Sequence, residues 1–431
     1  MLGAAINVIP IMLQRNVPGI GPHVMSAYVF AALPALLAAL AYASLASAMP
    51  RAGGSYVYVS RSLSPYWGFV ASFSQWFGLS IAIGVVSYVL IPFIRDIADA
   101  VGWAGTAEAL DTGPVRVGLA LGFLWAFVLV NLRGLGAYKV TLIPMMFLMF
   151  ALGSVVIVAG FLFDHADFAA ALASTEGRAV PPEPDAPFRL GPFLAASALL
   201  FSSFIGFDSI AQAGGEARRP GRNLPLATGL AVVTVGTFYL LFTAAIYHAI
   251  PWSFVAEEAQ LRDLTAPGLL GYLLPVGWTV AIVAGAAIAL INDLPAMLLA
   301  VSRLIFAWGN DGIFPRRMAA VNARWRTPHA ALVASGLMAS LGILGSHFAG
   351  DFFLGIDILV AGGAGIALLG VFLVVHIHKD LTAEVGAWYF HSTWVWLGVM
   401  AIASAIFFRG VARLRKAGTD LRTLFRELPR G

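Results

Sequence analysis

Residues 192–225, PFLAASALLFSSFIGFDSIAQAGGEARRPGRNLP, form an apolar span that carries polar and flexible residues near its centre. Ser202, Ser203, Gly206 and Asp208 lie where lipid offers a polar group no partner. A carboxylate at that depth is costly, so it usually faces a cavity, an ion or another buried polar group. Gly206 allows the helix to unwind, and unwound backbone inside a membrane is tolerated only around a protein-lined site. The pattern favours a discontinuous helix like those that hold solutes in secondary transporters. A glycine packing contact beside a stray acid is the alternative.

The composition is that of a helical membrane protein. Of the 431 residues, 60% are hydrophobic and 11% are charged, whereas about a quarter of the residues in an ordinary soluble domain are charged. The mean hydropathy is +0.85. Apolar windows of about 20 residues recur along the chain, and none shows the period of two that barrel strands require. We therefore expect an all-α polytopic protein surrounded by the lipid bilayer.

Several kinds of site are excluded by what the sequence lacks. The chain has no cysteine, which rules out disulfides, thiolate nucleophiles and cysteine-ligated metals. Its eight histidines form no H-E-x-x-H pattern, and no phosphate-binding P-loop occurs. The formal net charge of +4 is explained by basic loops beside the membrane. We predict no cofactor, no metal site, no nucleic-acid partner and no enzyme activity.

About eleven hydrophobic segments have the character of membrane spans, the first of them short. They lie at about 2–14, 22–48, 66–94, 115–132, 139–163, 192–213, 225–249, 269–307, 329–346, 352–376 and 387–408.

The charges of the loops predict the orientation of these spans. Basic connections at 50–65, 133–139, 214–224 and 308–328 are expected in the cytoplasm, and the acidic connections at 95–114 and 164–191 are expected outside. The basic tail also favours the cytoplasm, yet three predicted spans separate it from 308–328. Either 352–376 does not cross simply, or a span is missing, or the tail lies outside against the rule.

Three groups of motifs, in this order, resemble the amino acid–polyamine–organocation (APC) superfamily of permeases. The first is Pro50–Tyr58 (PRAGGSYVY), and the second is Phe204–Ser209 (FIGFDS) continued by Gly215–Pro225 (GEARRPGRNLP). The third comprises Ala300–Leu304 (AVSRL), Asn310–Pro315 (NDGIFP) and Arg326–Pro328 (RTP). The resemblance implies a five-plus-five inverted-repeat transporter fold in which helices 1 and 6 are broken. It implies a transporter core at 1–376, with repeats at about 1–163 and 192–376, and an extra transmembrane helix and basic tail at 377–431.

The same comparison implies that the chain is truncated. The break in the first span would fall on Gly3, Ala4, Ala5 and Ile6, so the preceding half-span should lie before Met1. Ala5 stands where the superfamily has a second glycine, which leaves less room for a substrate carboxylate. Three predicted spans, an odd number, lie between the basic connection 308–328 and the basic tail. This also fits a chain shortened near its C-terminus.

Candidate substrate-binding residues lie at the two breaks, where freed backbone groups and hydroxyls would hold the carboxylate and amine of a solute. They are Gly3, Ala4, Ala5 and Ile6 on the first span and Ser202, Ser203, Ile205 and Gly206 on the sixth. Close packing of small residues is the alternative explanation. Phe201, Phe204 and Phe207 are candidate gating residues, with core packing as the alternative.

Three polar residues are candidates for coupling transport to an ion. Asp208 is either a protonatable group or a structural acid that caps unwound backbone. Asn292 and Asp293 lie in an apolar stretch that we expect Pro295 to break. We predict that Asp293 couples transport to protons or sodium, and a buried acid that bonds the backbone freed by Pro295 is the alternative. By the resemblance, the lysine that proton-coupled relatives carry in the fifth span is absent, because Met146–Leu148 fall there.

These observations predict a secondary active permease of amino acids or related amines in a bacterial inner membrane, driven by a proton or sodium gradient. A non-transporting solute sensor or an inactive permease fragment is the alternative. The oligomeric state cannot be predicted from the sequence.

Overall fold

The computed structural model describes residues 5–204, 206–212, 214, 217–261, 264–349, 374, 377–378, 380–382 and 391–427. Within them, regular secondary structure is helical. The α-helices are α1 (Ala5–Asn16), α2 (Val24–Ala48), α3 (Gly54–Ser62), α4 (Pro65–Ala100), α5 (Ala104–Asp111), α6 (Gly113–Leu132), α7 (Leu135–Leu162), α8 (His165–Glu176), α9 (Leu190–Phe201), α10 (Phe207–Gln212), α11 (Pro220–Ala249), α12 (Trp252–Leu261), α13 (Ala266–Leu270), α14 (Val276–Asn310), α15 (His329–Ala349), α16 (Ser392–Lys416) and α17 (Leu421–Leu424). Short 3₁₀ turns lie at Gly21–His23, Ser202–Phe204 and Arg316–Ala319.

The all-α, multi-pass character of the fold is confirmed. In the described part of the chain, nine helical segments are long and apolar enough to cross a membrane. They coincide with nine of the eleven predicted spans. Helices suit this environment because each satisfies its own backbone hydrogen bonds where lipid supplies none. The short first span corresponds to α1, and the predicted span 352–376 lies outside the described residues apart from 374.

The interior of the bundle is built on α4 and α14. In each, 61% of the most apolar window is buried, compared with 17% in α7 and 22% in α6 and α16. The second spans of the two predicted repeats, α2 and α11, pack against each other, as do the third spans, α4 and α14. Such pairing is what a two-fold relation between inverted repeats leads us to expect near its axis. The less buried helices lie at the periphery, where lipid would surround them.

The eighth span differs from its prediction at two prolines. Pro275 directly precedes α14, which therefore begins later than the predicted segment at 269. Pro295 lies inside α14, and the helix continues through it to Asn310. The expectation that Pro295 breaks the span is wrong. A proline removes one backbone hydrogen bond, and membrane helices tolerate this where neighbouring helices pack closely.

The C-terminal tail lies on the same side of the bundle as the basic connection 308–328. The Arg413 Nη2 donates to the carbonyl of Ile313 at 2.9 Å, and the Leu414 side chain packs over Gly312. These contacts rule out the alternative in which the tail lies on the opposite side from this loop.

The acidic connections are folded against the outer ends of the spans. They contain α5 and α8, which the sequence analysis did not predict. Arg178 bonds the carboxylates of Glu176 and Glu258, each at 2.9 Å. The Tyr272 hydroxyl donates to Glu176 at 2.5 Å. The segment between α8 and α9 is thereby tied to the helices of the second repeat.

Candidate solute site at the broken sixth span

The sixth span is interrupted where the sequence analysis predicted. The helix α9 ends at Phe201, and the chain passes through the 3₁₀ turn Ser202–Phe204 before α10 begins at Phe207. Gly206 lies between these segments with φ = 122°, a conformation that side chains rarely permit. At the interruption, the Ser202 backbone N–H bonds the carbonyls of Leu199 and Leu200, and the Ser202 hydroxyl donates to the carbonyl of Leu199 at 2.6 Å.

Asp208 is held by donors from its own protein. It is buried, at 8% exposure. One carboxylate oxygen accepts from the backbone N–H of Gly206 at 3.1 Å, and the other accepts from the side-chain amide of Gln75. The backbone N–H of Ser209 donates to the carbonyl of Gly206 at 3.1 Å. The geometry is that of an acid capping unwound backbone, and a role in proton coupling stays a prediction.

A chain of buried and half-buried polar side chains continues from Asp208 towards α3. The Ser55 hydroxyl donates to Gln75 Oε1 at 2.5 Å. Gln212 Nε2 donates to Ser55 Oγ at 2.9 Å and lies 3.4 Å from Gln75 Oε1. This amide network connects α3, α4 and α10 directly below the break. The sequence analysis missed Gln75 and Gln212, whose only signal was an amide in or beside an apolar helix.

A buried ion pair lies between α3 and the end of α14. Arg61 bonds Asp311 with both terminal nitrogens, at 2.6 and 2.8 Å. The Tyr56 hydroxyl donates to the same carboxylate at 2.5 Å. The two charged side chains are 4% and 3% exposed. We call Tyr56, Arg61 and Asp311 the inner cluster. Tyr56 and Asp311 fall in the first and third groups of motifs, and Arg61 follows the first group by three residues. The sequence analysis assigned none of them a role.

The Tyr56 hydroxyl and the Arg61 guanidinium of the inner cluster do not titrate near neutral pH. Burial and the charge of Asp311 raise the pKa of the Tyr56 hydroxyl well above its usual value. Burial lowers the pKa of Arg61, but the hydrogen bonds and charge of Asp311 outweigh it and leave that pKa raised. The phenol therefore stays neutral and the guanidinium stays charged across the physiological range.

The paired glycines of the PRAGGSYVY motif allow α3 to approach its neighbours closely. Gly53 has φ = 92°, and a Cβ there would overlap the Cβ of Ala307 on α14. A Cβ on Gly54 would lie 2.9 Å from the backbone carbon of Ala211 on α10. The helix α3 is therefore wedged between the half-helix α10 and the inner end of α14.

The three candidate gating residues are packed in the interior. Phe201, Phe204 and Phe207 are 6%, 1% and 6% exposed. The Phe204 ring lies 5.6 Å from that of Tyr28, and the Phe207 ring lies 5.5 Å from that of Tyr42. Their present contacts are those of core aromatic residues, and gating by them stays a prediction.

Two buried hydroxyls beside the break have no hydrogen-bond partner. Ser203 and Tyr28 are 2% and 0% exposed, and both side-chain oxygens are unpaired. The two side chains are neighbours, although neither completes a hydrogen bond of ordinary geometry with the other. Buried polar groups usually find a partner, so the hydroxyls of Ser203 and Tyr28 could bind a polar group of a solute or a water.

The first span contributes one end of a small cavity. Ile6 and Asn7 line a space of ≈ 20 Å³ between α1, α7, α11 and α14. That volume holds about one water, whereas solute pockets measure about 300–1,000 Å³. Of the predicted substrate-binding residues, Ile6 lines this space and Ser202, Ser203 and Gly206 do not. Gly3, Ala4, Ile205 and the Ala5 side chain lie outside the described part of the structure.

The candidate coupling residues of the eighth span lie near this cavity. Asn292 and Asp293 are half-buried on α14, and Asn292 Oδ1 has no hydrogen-bond partner. Ala289 lines the cavity, and residues four apart share a helix face. Asp293 therefore lies one turn beyond the cavity, towards the inner end of α14.

Comparison with known proteins identifies the family. The family model described as amino acid permease matches residues 1–416. The human cationic amino acid transporter 4 is 26% identical over 365 residues, which cover 79% of this chain and 52% of the human protein. A low-affinity putrescine importer of Escherichia coli strain K12 is 26% identical, over 74% of this chain and 67% of its own length. A branched-chain amino acid permease of Bacillus subtilis strain 168 has the same identity and coverage.

These matches confirm the resemblance that the three groups of motifs indicated. The chain spans about half the length of the human relative. The relatives named above are transporters and permeases, which agrees with the prediction that the protein is not an enzyme. Because the family model covers nearly the whole chain, the protein belongs to the amino acid permease family.

Proposed function

We propose that the protein is a secondary active permease for an amino acid or a related amine, working by alternating access in a bacterial inner membrane. The observation that carries this proposal is the interruption of the sixth span at Gly206, beside unpaired buried hydroxyls. A membrane protein retains irregular backbone at such depth only where it is buried in protein or lines a cavity. The named relatives carry amino acids and putrescine, which supports the same class of solute.

The helices α1 and α9 meet at the proposed site. The described part of α1, Ala5–Asn16, runs from inside the bundle towards the outer loop. The helix α9 runs inward and ends at Phe201. The α1 helix packs against α9 and against the 3₁₀ turn Ser202–Phe204. We propose that backbone groups at the interruption after Phe201 hold the carboxylate and the amine of the solute.

The coupling ion is proposed to act at α14. Asp293 is half-buried and lies one turn from the cavity that Ile6 and Asn7 line. An acid in that position can take up a proton, or contribute an oxygen to a sodium ion, when the cavity opens to one side. Asp208 is a second candidate, and protein donors contact both of its oxygens.

Opening to the cytoplasm would require the inner contacts to separate. The amide network and the inner cluster both join α3 to helices that belong to the second repeat. We propose that these two layers form the inner gate, and that Phe201, Phe204 and Phe207 line the pathway above it. Closing and opening would then move α10 relative to α3 and α4.

Uptake by purified protein in proteoliposomes tests the proposed function. The panel contains labelled neutral, cationic and acidic amino acids and putrescine, each with and without an imposed proton or sodium gradient. We expect gradient-dependent accumulation of at least one amino acid or amine. Binding without accumulation across the panel would favour a solute sensor and contradict the proposal.

A further inference from the structure

The segment after the last membrane helix folds back onto the inner cluster. The Phe425 side chain is 7% exposed, and the guanidinium of Arg61 lies 5.4 Å from the centre of its ring. The Nε of Arg61 donates to the backbone carbonyl of Glu427 at 3.2 Å. The centre of the Tyr56 ring lies 5.7 Å from the same guanidinium. The tail therefore contributes one aromatic face and one hydrogen-bond acceptor to Arg61.

The fold of the tail supports this placement. Asp420 caps α17 by accepting from the backbone N–H of Arg422 at 2.9 Å and from the hydroxyl of Thr423 at 2.5 Å. The last turns of α16 are fixed to the loop after α14 by the bond from Arg413 to Ile313. The tail thus reaches Arg61 from an anchored helix, and its contact with Arg61 does not depend on one side chain alone.

We propose that Phe425 is a positioning residue for Arg61, so that the C-terminal segment Leu421–Glu427 is part of the inner gate. This inference rests on the proposed function, because a gate has meaning only in a permease. Arginine forms a bidentate pair only when its planar fork is correctly oriented. The ring of Phe425 packs against the guanidinium of Arg61, whose side chain is 4% exposed, and the Glu427 carbonyl accepts from its Nε. A continuous series of contacts thus runs from the tail through Arg61 to Asp311 and α14.

The chain offers a clean background for measuring gate opening because it contains no native cysteine. A single reporter, Ser209→Cys, lies half-buried on α10 just below the break. Its rate of reaction with a membrane-impermeant thiol reagent, added to the cytoplasmic face of inside-out vesicles, reports the open fraction. We expect Phe425→Leu to raise this rate about threefold to tenfold, since it keeps apolar bulk but removes the cation–π face.

Matched variants separate positioning from general packing. Phe425→Trp keeps an aromatic face and should react at the parent rate. Phe408→Ala alters a 60% exposed aromatic residue on α16 and should also leave the rate unchanged. Arg61→Gln should raise the rate at least as much as Phe425→Leu, and the double variant should show no further increase. In uptake assays Phe425→Leu should lower the maximal rate more than it raises KM.

Two results would overturn the inference. The first is a parent rate for Phe425→Leu while Arg61→Gln reacts faster, which would show that Arg61 is held without the tail. The second is an equal rise in Phe425→Leu and Phe425→Trp, which would indicate lost packing rather than lost positioning. A failure of the proposed function looks different, because the parent protein would then accumulate no solute while the labelling differences persisted.

Discussion

Asp208 illustrates how a single carboxylate is stabilised inside the bundle. Its oxygens accept from the backbone next to the break and from the amide of Gln75. Removing one donor would leave a buried, charged acceptor partly unpaired, which costs more than the bond itself contributes. The acid and its amide partner therefore act as a unit. The changes in unfolding free energy caused by substituting each of them should not be additive.

Gln75→Met is expected to lower the stability of the folded protein by about 1–3 kcal/mol, because the shape is kept while the donor to Asp208 is lost. Thermal or denaturant unfolding in detergent, followed by near-ultraviolet circular dichroism, measures the change. Asp208→Asn removes the charge that needs the donor. The double variant should therefore be less destabilised than the sum of the single variants. Strict additivity would show that Gln75 and Asp208 do not depend on each other.

Residues that break an apolar pattern could be predicted from the sequence, and residues that work in pairs could not. Gly206 and Asp208 stand out within their own span, and the break at Gly206 is confirmed. Arg61 and Asp311 are 250 positions apart, and each appears in a basic or polar loop where charges are ordinary. No local pattern indicates that their side chains meet, because that depends on how α3 packs against α14.

At the scale of elements, the short helix α3 lies in close contact with both α10 and the inner end of α14. Its N-terminal glycines lie against Ala307 and Ala211, so two helices meet α3 within one turn. The amide network and the inner cluster both include residues of this helix. Adding a single methyl group to α3 should therefore disturb both the amide network and the inner cluster.

Gly53→Ala tests this close approach, and Gly102→Ala provides a matched control. Both glycines have positive φ, at 92° and 82°, so both substitutions cost about 1–2 kcal/mol of backbone strain. Only Gly53 faces a neighbour, since nothing lies within 4 Å of a Cβ at Gly102. We expect Gly53→Ala to destabilise the protein by about 1–3 kcal/mol more than the control.

Ala307→Gly should recover most of that difference, because it removes the methyl group that the new side chain meets. The comparison uses unfolding midpoints measured in the same detergent. The four variants are Gly53→Ala, Gly102→Ala, Ala307→Gly and the double variant Gly53→Ala/Ala307→Gly. Equal destabilisation of Gly53→Ala and Gly102→Ala would show that α3 can move away from α14 at no cost.

The spans could be predicted because lipid imposes one length and one composition on each of them. The helices outside the spans could not, because α5, α8 and α12 are short and their apolar faces are visible only once the spans are assembled. The start of α14 after Pro275 and its continuation through Pro295 show the same limit. A proline marks a constraint on the backbone, and the packing around it decides whether the helix ends.

At the scale of the whole molecule, contacts hold both ends of the described bundle together. On the outer side, the segment between α8 and α9 reaches the second repeat through the pair of Arg178 and Glu258. On the inner side, the tail, α3 and α14 meet at the inner cluster. The cavity of ≈ 20 Å³ between them is too small for an amino acid. Transport in this protein would thus require one set of contacts to break while the other persists.

Asp293→Asn tests whether α14 carries the coupling group that drives such a cycle. The amide keeps the shape of the side chain but cannot take up a proton and binds a cation less strongly. We expect gradient-driven accumulation to fall about tenfold or more, which corresponds to the loss of a typical coupling free energy, while solute binding is largely retained. Asp99→Asn, at an exposed acid near the outer end of α4, should leave both quantities unchanged. Accumulation by Asp293→Asn that matches the parent protein over the whole pH range, and with either ion gradient, would remove Asp293 from the mechanism.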